Sequence, residues 1–309
     1  MGTELDTVIQ WKCVELADKG LVKKYLKEEG SRNCEFTFAN IYLWSREVYA
    51  IKFAVVEDAL CFLSEGKQTS VTYPLGSGDK KRTIKCLRED FQAKGKPFHM
   101  HSVNPKQFEE LQELYGDEVS IVYDRDSADY VYEVEKLVKL SGKKYHSKKN
   151  HINRFIANCP QWNYEAITEE NVEECIQMAK EWGKQNGCEQ DQGKQAELKV
   201  ALQGLTMLEE LDLTGGLIRA EGKVIAFCFG EPANEDTYVV HVEKAFAEIQ
   251  GAYPLINREF LQANATKFTY VNREEDVGSE GLRKAKLSYH PSFLLEKGAV
   301  TFEEKEKSL

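Results

Sequence analysis

The sequence has no long apolar run, and from its first residues we expect no secretory signal. No stretch approaches the roughly 20 consecutive apolar residues that a membrane-spanning helix requires, although 42% of the 309 residues are hydrophobic. The first ten residues, MGTELDTVIQ, have neither a basic region nor an apolar region of the kind that directs secretion. We therefore expect a protein without a transmembrane segment, with enough apolar residues to build a core.

The cysteines lack the spacing of a metal site. The chain has eight cysteines, none in a C-x-x-C pair, which argues against a zinc ribbon and a thioredoxin-like site. Cys175 and Cys228 lie within apolar patterns typical of buried, free thiols. No metal is therefore predicted, and the free thiols favour a reducing, cytoplasmic compartment.

Positive charge is scarce but concentrated in one segment. The formal net charge of −10 argues against a general nucleic-acid binder, because neutralising phosphates requires a basic surface. Residues 136–164 nevertheless hold seven Lys or Arg and no Asp or Glu. This strip either meets a phosphate-rich partner or is a solvated face between domains. The lysines concerned are Lys143, Lys144, Lys148 and Lys149.

The order of elements predicts a duplicated architecture. In the second half we expect a strand, two helices, a hairpin, then alternating strands and helices, and the first half approximately repeats this order without repeating its residues. Such an order predicts an α/β (mixed α+β) fold with two tandem domains, each a mixed central sheet flanked by helices. The predicted boundaries are 1–135, a basic connecting segment 136–158, and 159–309.

Two stretches of the second half carry candidate catalytic groups. In the strand TYVVHVEK, a period of two places His241 and Glu243 on one face. There His241 could accept a proton as a general base while Glu243 orients the imidazole. An exposed strand end is the alternative. The second stretch is YVNREEDVGSEGLRKAKLSYHP, where the chain leaves a strand at the edge at which open α/β sheets bind ligands.

Polar residues follow one another closely in this second stretch. After the strand come Asn272, Arg273, Glu274, Glu275 and Asp276, and Ser279 is placed to cap a helix. The spacing of that helix predicts an inward stripe of Leu282, Ala285 and Tyr289, and a second stripe of Arg283, Lys286 and His290. Cations facing carboxylates would suit a zwitterionic substrate, and the residues of this stretch predicted to bind it are Asn272, Arg273, Tyr289 and His290. The alternative is an ordinary amphipathic helix with a Glu280–Lys284 surface pair.

A family resemblance adds to these patterns. The element order of the second half is similar to the Gcn5-related N-acetyltransferase fold, and GAYPLINREF with YVNREEDVGSEGLRKAKLSYHP resembles a bacterial family grouped with the C-terminal domain of phosphatidylglycerol lysyltransferases. FANIYLW and YPLGSGDK are further marks of it. The resemblance covers essentially the whole chain and implies two tandem acetyltransferase-like domains, related to Fem-type aminoacyl transferases. The 309 residues show no counterpart of the membrane-embedded part of the lysyltransferases, and only Gly278 resembles their LGMAPLS-type segment.

The resemblance implies an acyltransferase that takes an aminoacyl group from aminoacyl-tRNA and passes it to a lipid, peptide or small-molecule acceptor. His241, Glu243, Glu275 or Asp276 would then supply the base, and Arg283 or Lys286 would stabilise the oxyanion. The basic strip would bind tRNA. Since no Ser-His-Asp or Cys-His set is evident, direct transfer is preferred to a covalent enzyme intermediate. A coenzyme A-dependent N-acetyltransferase and a non-catalytic binding protein are the alternatives.

The acetyltransferase resemblance also points to two turns that precede helices. There, unpaired backbone N–H groups bind a pyrophosphate. AEIQGAYPL supplies Gln250 and Gly251, but Pro254 removes one donor, and PLGSGDKK supplies Gly76 and Gly78, for which a simple left-handed turn is the alternative. No cofactor is required by these patterns, and acetyl-coenzyme A is the candidate if one is used.

Overall fold

The computed structural model describes residues 9–66 and 68–303. Within them the strands are β1 Lys12–Cys13, β2 Ala50–Val56, β3 Ala59–Glu65, β4 Thr69–Thr72, β5 His99–Val103, β6 Val119–Tyr123, β7 Asp129–Glu133, β8 Trp162–Ala166, β9 Thr214–Ala220, β10 Lys223–Pro232, β11 Thr237–Ala245, β12 Tyr270–Asn272, β13 Phe293–Leu295 and β14 Gly298–Phe302. The α-helices are α1 Lys19–Glu29, α2 Phe38–Glu47, α3 Lys80–Ala93, α4 Pro105–Tyr115, α5 Val134–Lys139, α6 His146–Asn158, α7 Val172–Gln185, α8 Gln192–Thr206, α9 Ala252–Asn264 and α10 Glu280–Leu287. None of these helices is long and apolar enough to cross a bilayer.

The chain forms two compact units, each built on one sheet. Unit 1 consists of the described parts of Met1–Gly30, Tyr49–Ala128 and Glu296–Leu309. Unit 2 combines Ser31–Val48 with Asp129–Leu295.

Unit 1 contains a seven-stranded mixed sheet in the order β1-β2-β3-β4-β5-β14-β6. Strands β4 and β5 are parallel, and the other pairs are antiparallel. Helix α3 buries Ile84, Leu87 and Phe91, whose spacing of three and four residues places them on one face. They join a core that includes Val71 and Met100 of the parallel pair.

Unit 2 contains a second seven-stranded sheet in the order β13-β7-β12-β11-β10-β9-β8. Here β11 and β12 are parallel, and their neighbours pair antiparallel. Strand β10 is buried from Val224 to Glu231, as expected of a central strand covered on both faces. Helix α7 buries Cys175, Ile176 and Trp182, whose spacing places them on one apolar face.

The predicted fold class is confirmed, because both units are mixed sheets flanked by helices. The course of the chain differs from the predicted boundaries 1–135, 136–158 and 159–309. Strand β7 belongs to the sheet of unit 2, between β13 and β12, whereas β14 lies in the sheet of unit 1 between β5 and β6. The basic segment is not a linker, since α6 buries Ile152 and Phe155 and packs on α9 within unit 2.

Candidate functional site

The sheet of unit 2 opens where β11 and β12 part. Their parallel pairing covers only Thr237–Tyr270 to Val239–Asn272, and the chain after Asn272 leaves the sheet. The next residues of both strands are therefore free to turn side chains into the opening. This is the edge at which open α/β sheets bind ligands.

A bulge in β11 places His241 at this opening. Phe229 of β10 pairs with Val242, but the next residue, Gly230, pairs with Val240, so His241 has no partner in the register. Bulges of this kind redirect a side chain and are common beside active sites. Gly230 is required there, because a Cβ atom would lie 2.0 Å from the carbonyl oxygen of Val239.

The imidazole of His241 lies between two carboxylates. Its side chain is only 4% exposed, its Nδ1 is 2.8 Å from Glu274 Oε1, and its Nε2 is 3.2 Å from Glu231 Oε1. Thr37 Oγ1 lies 3.4 Å from the same Nε2. Burial lowers the pKa of His241, but the hydrogen bonds to Glu231 and Glu274 raise it more, to about 9. The ring is therefore an imidazolium at neutral pH, and both nitrogens donate.

Glu231 anchors this arrangement to helix α2. The residue is 2% exposed, and its Oε1 also accepts from the backbone N–H of Ala39, at 3.1 Å, in the first turn of the helix. A carboxylate at a helix N-terminus is stabilised by the unpaired N–H groups and the helix dipole. Glu231 Oε1 thus accepts from both the N-terminus of α2 and His241.

Glu274 is the more accessible of the two carboxylates. Its side chain is 18% exposed, and Oε1 accepts from His241 and from Asn40 Nδ2 at 3.3 Å. No hydrogen bond within the described residues engages Oε2. The backbone of Glu274 has φ of 58°, in the left-handed region that non-glycine residues seldom adopt and that is enriched at functional sites.

Asn272 holds Glu274 in this conformation. The amide is fully buried; its Oδ1 accepts from the backbone N–H of Glu274 at 2.7 Å. Its Nδ2 donates to Asp129 Oδ2 at 2.8 Å and to the carbonyl oxygen of Arg32 at 2.7 Å. Predicted from sequence to bind substrate, Asn272 instead directs its polar atoms to the protein and acts on the site through Glu274.

A thiol and two further carboxylates lie beside this amide. Cys34 Sγ is 3.2 Å from Asp129 Oδ1 and 3.6 Å from Glu275 Oε2, and the three ligand atoms lie within 4.8 Å of one another. Asp129 is fully buried and also accepts from the backbone N–H of Cys34 at 3.0 Å. A thiolate and two carboxylates can ligate a divalent metal; equally, the thiol hydrogen bonds account for the observed contacts.

The predicted cations of α10 bind to the loop that precedes the helix. Arg283 donates to both oxygens of Asp276, at 2.7 and 2.8 Å, and these bonds hold the pKa of that buried carboxyl far below its usual range despite burial. Lys286 Nζ donates to the carbonyl oxygens of Arg273, at 2.6 Å, and Glu275. Burial lowers the pKa of Lys286. These groups face inward, but their donors are directed at the loop and not at an open space.

The predicted inward stripe of α10 is wrong at Leu282 and Ala285 but correct at Tyr289, which is 5% exposed. Leu282 is 40% exposed and Ala285 is exposed, whereas Lys286 is buried and Arg283 is half-buried. The helix ends at Leu287, so that Tyr289 and His290 lie beyond it. The helix turns its charged side inward because Asp276 and the loop carbonyls provide partners there. Ser279 does cap the helix, accepting from the backbone N–H of Leu282 at 3.4 Å.

Glu243 lies apart from His241 and belongs to a different cluster. It accepts from Arg273 Nη2 at 2.9 Å and from Asn257 Nδ2 at 2.8 Å. The predicted His241–Glu243 pair is thus replaced by the contacts of His241 with Glu231 and Glu274. The bulge in β11 is the reason, because simple alternation fails across it.

The remaining predicted residues of unit 2 lie along the basic strip. Lys143, Lys144 and Lys149 are exposed, and Lys148 is half-buried against Tyr289. The exposed His290 has its Nε2 at 3.3 Å from the carbonyl oxygen of Lys144. These positions bring the end of the α10 segment next to the basic strip.

The two glycine turns are packed against protein. A Cβ atom on Gly251 would lie 2.5 Å from the carbonyl oxygen of His151, and Gln250 Oε1 accepts from Arg154 Nη1 at 3.2 Å. In unit 1, the N–H of Gly76 donates to Glu29 Oε2 at 3.1 Å. A Cβ atom on Gly78 would meet the backbone at residues 57–59 at 2.5 to 2.6 Å. Close packing explains these glycines without a ligand.

Sequence patterns miss four residues of the site, Cys34, Thr37, Asp129 and Glu231. They place Glu274 at the strand end but assign it no role. Glu274 stands in the stretch NREED, and Glu231 interrupts an apolar strand just before Pro232. A carboxylate at the end of a fully apolar strand is a signal, because burying it requires a partner. For the residues of segment 31–48, no local signal exists, since they reach the site only through the fold of unit 2.

The chain is similar to known proteins over most of its length. The sequence profile described as "Phosphatidylglycerol lysyltransferase, C-terminal" matches residues 27–297. A conserved protein of unknown function from Bacteroides thetaiotaomicron is 39% identical, covering 96% of this chain and 100% of that one, with a TM-score of 0.91. An uncharacterized protein of Mycoplasmoides gallisepticum is 26% identical over 214 residues, 63% of this chain and 67% of the relative.

The structure of L-PGS from Bacillus licheniformis has a similar fold. It is 16% identical, covering 94% of this chain and 93% of that one, with a TM-score of 0.64. At this identity the likeness concerns the fold alone. The profile match spans most of the chain, and this membership supports an acyltransferase activity in general. The chain belongs to the family of phosphatidylglycerol lysyltransferase C-terminal domains.

Proposed function

We propose that the protein transfers an aminoacyl group from aminoacyl-tRNA to a lipid, peptide or small-molecule acceptor, with Glu274 as the base. The observation that carries this proposal is the open Oε2 of Glu274, on a carboxylate fixed by a buried imidazolium where β11 and β12 part. The family membership supports acyl transfer, and the lysyl transfer named in the description of the family supports an aminoacyl group.

Acyl transfer requires an activated acceptor that is aligned with the ester. In the proposed step, the acceptor O–H or N–H gives its proton to Glu274 Oε2 while the acceptor atom bonds to the acyl carbon. The bond from that carbon to the ribose oxygen breaks, and the ribose oxygen takes the proton from Glu274 Oε2, which regenerates the carboxylate. His241, an imidazolium at neutral pH, does not accept the proton; its hydrogen bond holds the carboxylate of Glu274 in place.

The charge of the surroundings suits an ammonium group. Four carboxylates lie in the cluster described above, those of Asp129, Glu231, Glu274 and Glu275. The nearby positive charges are the imidazolium of His241 and the ammonium of Lys286. Burial lowers the pKa of Lys286, and three of these acids, Glu274, Glu275 and Asp129, oppose that decrease. An aminoacyl ester brings an α-ammonium, which would offset part of this negative excess.

The basic strip provides the surface for the donor. Lys143, Lys144 and Lys149 are exposed in a segment without acidic residues. Such a surface attracts a phosphate backbone, and the affinity should fall steeply with salt. The coenzyme A alternative has less support, since the turn before α9 is packed by His151 at Gly251 and the N–H of Ala252 donates to the carbonyl of Ile249.

The first experiment tests the base. Radiolabelled aminoacyl-tRNA is incubated with the protein and either phosphatidylglycerol vesicles or a peptide mixture, and the label that leaves the tRNA is measured. Glu274→Gln should slow the transfer at least about 100-fold, the usual loss for a general base. Glu169→Gln, an exposed carboxylate of unit 2, is the matched control and should transfer at the normal rate.

The second experiment tests the donor. Charge reversal of Lys143, Lys144 and Lys149 should abolish filter retention of tRNA, whereas reversal of the exposed Lys180 on α7 should not. An unmutated protein that does not retain tRNA would refute the aminoacyl-tRNA donor. A rise in Tm with millimolar acetyl-coenzyme A in that case would favour the N-acetyltransferase, and no response to either ligand would favour a binding protein.

A further inference from the structure

A buried guanidinium in unit 2 has an unused donor. Arg273 follows β12 directly, and its side chain is 10% exposed. Nη2 donates to Glu243 Oε1 at 2.9 Å. Nη1 is out of contact with solvent and makes no hydrogen bond within the described residues. Buried polar groups nearly always have a partner, so an orphaned N–H of this kind calls for an acceptor from outside the chain.

A second cation lies on the same aromatic ring. The guanidinium carbon of Arg273 is 4.6 Å from the ring centroid of Tyr289, and Lys148 Nζ is 4.1 Å from it. Lys148 is half-buried and makes no hydrogen bond or ion pair within the described part of the chain. Its pKa is lowered by burial and by Arg273, with Glu243 opposing them. Two cations therefore share one ring.

The nearby negative charge does not balance them. Glu243 is the one carboxylate that acts on Lys148 within the described chain, and its second oxygen already accepts from the buried Asn257 at 2.8 Å. Burial raises the pKa of Tyr289, and Arg273 opposes that rise, but within the described residues no group satisfies Arg273 Nη1. The cluster is left with one positive charge in excess and one open donor.

We propose that Arg273, Lys148 and Tyr289 form a subsite for a phosphodiester oxyanion at the 3′ end of RNA. Guanidinium and ammonium groups are the side chains that bind phosphate oxygens most strongly. RNA is favoured because Lys148 belongs to the segment 136–164, which carries seven cations and no acids, so the positive surface continues outward along a chain of phosphates. The choice of RNA rests on the proposed function; the oxyanion subsite does not.

Binding is measured without any transfer reaction. The probe is a fluorescein-labelled RNA tetranucleotide, ACCA, and the readout is fluorescence anisotropy at several salt concentrations. Lys148→Gln should weaken binding about tenfold and reduce the salt slope by about 0.7, the contribution of one phosphate of a single strand. Lys180→Gln, the exposed lysine on α7, is the matched control and should leave both quantities unchanged.

Arg273 is tested with a variant that protects the fold. Arg273→Gln alone leaves Glu243 without its cation and risks unfolding, so the double variant Arg273→Gln with Glu243→Gln is compared with Glu243→Gln. Both should keep a cooperative thermal transition, and the double variant should bind the tetranucleotide at least about tenfold more weakly. Lys148→Gln leaves the Arg273–Glu243 pair intact, so the proposal is tested even where the Arg273 variants do not fold.

Three results would overturn the proposal. The first is equal affinity for the RNA in Lys148→Gln and Lys180→Gln. The second is a tetranucleotide that does not bind while glycerophosphoglycerol does, which would assign the subsite to a lipid headgroup. The third is displacement by citrate but not by inorganic phosphate, which would assign it to a carboxylate. If the unmutated protein binds the RNA but transfers no aminoacyl group, the proposed function is contradicted, whereas the proposed subsite is not.

Discussion

The imidazolium of His241 should make the stability of the protein depend on pH in a defined way. In the folded state its pKa is about 9, compared with an ordinary value of 6.5. The group therefore binds its proton more tightly when folded, and the stabilisation is complete below the unfolded pKa and disappears as the pH rises through the folded one. The two charges that cause this are Glu231 and Glu274, on β10 and on the loop after β12.

The magnitude follows from the difference between the two pKa values. Each unit corresponds to about 1.4 kcal/mol, so His241 should contribute about 3 kcal/mol to the free energy of unfolding at about pH 6. Linkage reduces this contribution to roughly a few tenths of a kcal/mol at about pH 9.5. Because the side chain is only 4% exposed, solvent screening takes away little of it.

The assay is urea unfolding of the protein and of His241→Asn at several values between about pH 6 and pH 9.5. The difference in free energy of unfolding between the unmutated protein and His241→Asn should decrease by about 3 kcal/mol across this range. Any difference caused by packing alone should not change with pH. His146→Asn, an exposed histidine at the start of α6, controls for the loss of a histidine elsewhere. A difference that stays constant with pH, or grows towards alkaline pH, would refute a charged His241 in the folded protein.

Two further predictions concern the support of the site. Gly230→Ala should lower the free energy of unfolding by about 3 kcal/mol, because its Cβ would lie 2.0 Å from the carbonyl oxygen of Val239. The control is Gly281→Ala, which should be nearly neutral because a Cβ there meets nothing within 4 Å. Equal losses of stability for the two variants in chemical denaturation would contradict this prediction. Arg283→Gln should cost about 3 kcal/mol at neutral pH, because Asp276 is fully buried. The low pKa of Asp276 stabilises the fold above the ordinary pKa of an aspartate and is lost as the pH falls, so the variant should unfold in acid at a higher pH than the unmutated protein.

The sequence predicts those features of unit 2 that depend on near neighbours. The hairpin of β9 and β10 turns through Glu221 and Gly222, whose φ values of 48° and 78° suit a two-residue turn. Pro254 stands in the first turn of α9, where it removes no internal hydrogen bond. Each of these follows from the conformational preference of one or two residues. Such preferences act over a few residues and can be read from a single sequence.

The partners of His241 are beyond the reach of that reasoning. Glu231 faces it only because the register between β10 and β11 shifts by one residue at Gly230, whereas period-two alternation favours Glu243. Thr37 reaches the same ring from 204 positions away in the chain. Bulges and long-range contacts of this kind are set by the packing of the whole unit. A single sequence carries no local pattern for them.

Helix α10 differs from its prediction for another reason. The predicted inward stripe includes Leu282 on the assumption that the apolar side is buried, but the helix covers a polar loop. Asp276 and the carbonyl oxygens of that loop offer hydrogen bonds to Arg283 and Lys286, which outweigh the burial of one leucine in so short a helix. Periodicity identifies the buried face only where the neighbouring surface is itself apolar.

The residues after β12 link the acidic cluster and the proposed oxyanion subsite. Arg273 contacts Glu243 and Tyr289, whereas the next residue, Glu274, contacts His241 and Asn40. The left-handed backbone of Glu274, held by Asn272, lets two consecutive side chains serve these two clusters. An aminoacyl ester of a 3′-terminal nucleotide carries an ammonium group and a phosphodiester on one molecule. Glu274 and Arg273, which are consecutive in the chain, would then belong to the clusters that bind these two groups. Releasing the φ constraint with Asn272→Leu should therefore weaken RNA binding and aminoacyl transfer together, whereas a variant that loses transfer alone would show that the two clusters act independently.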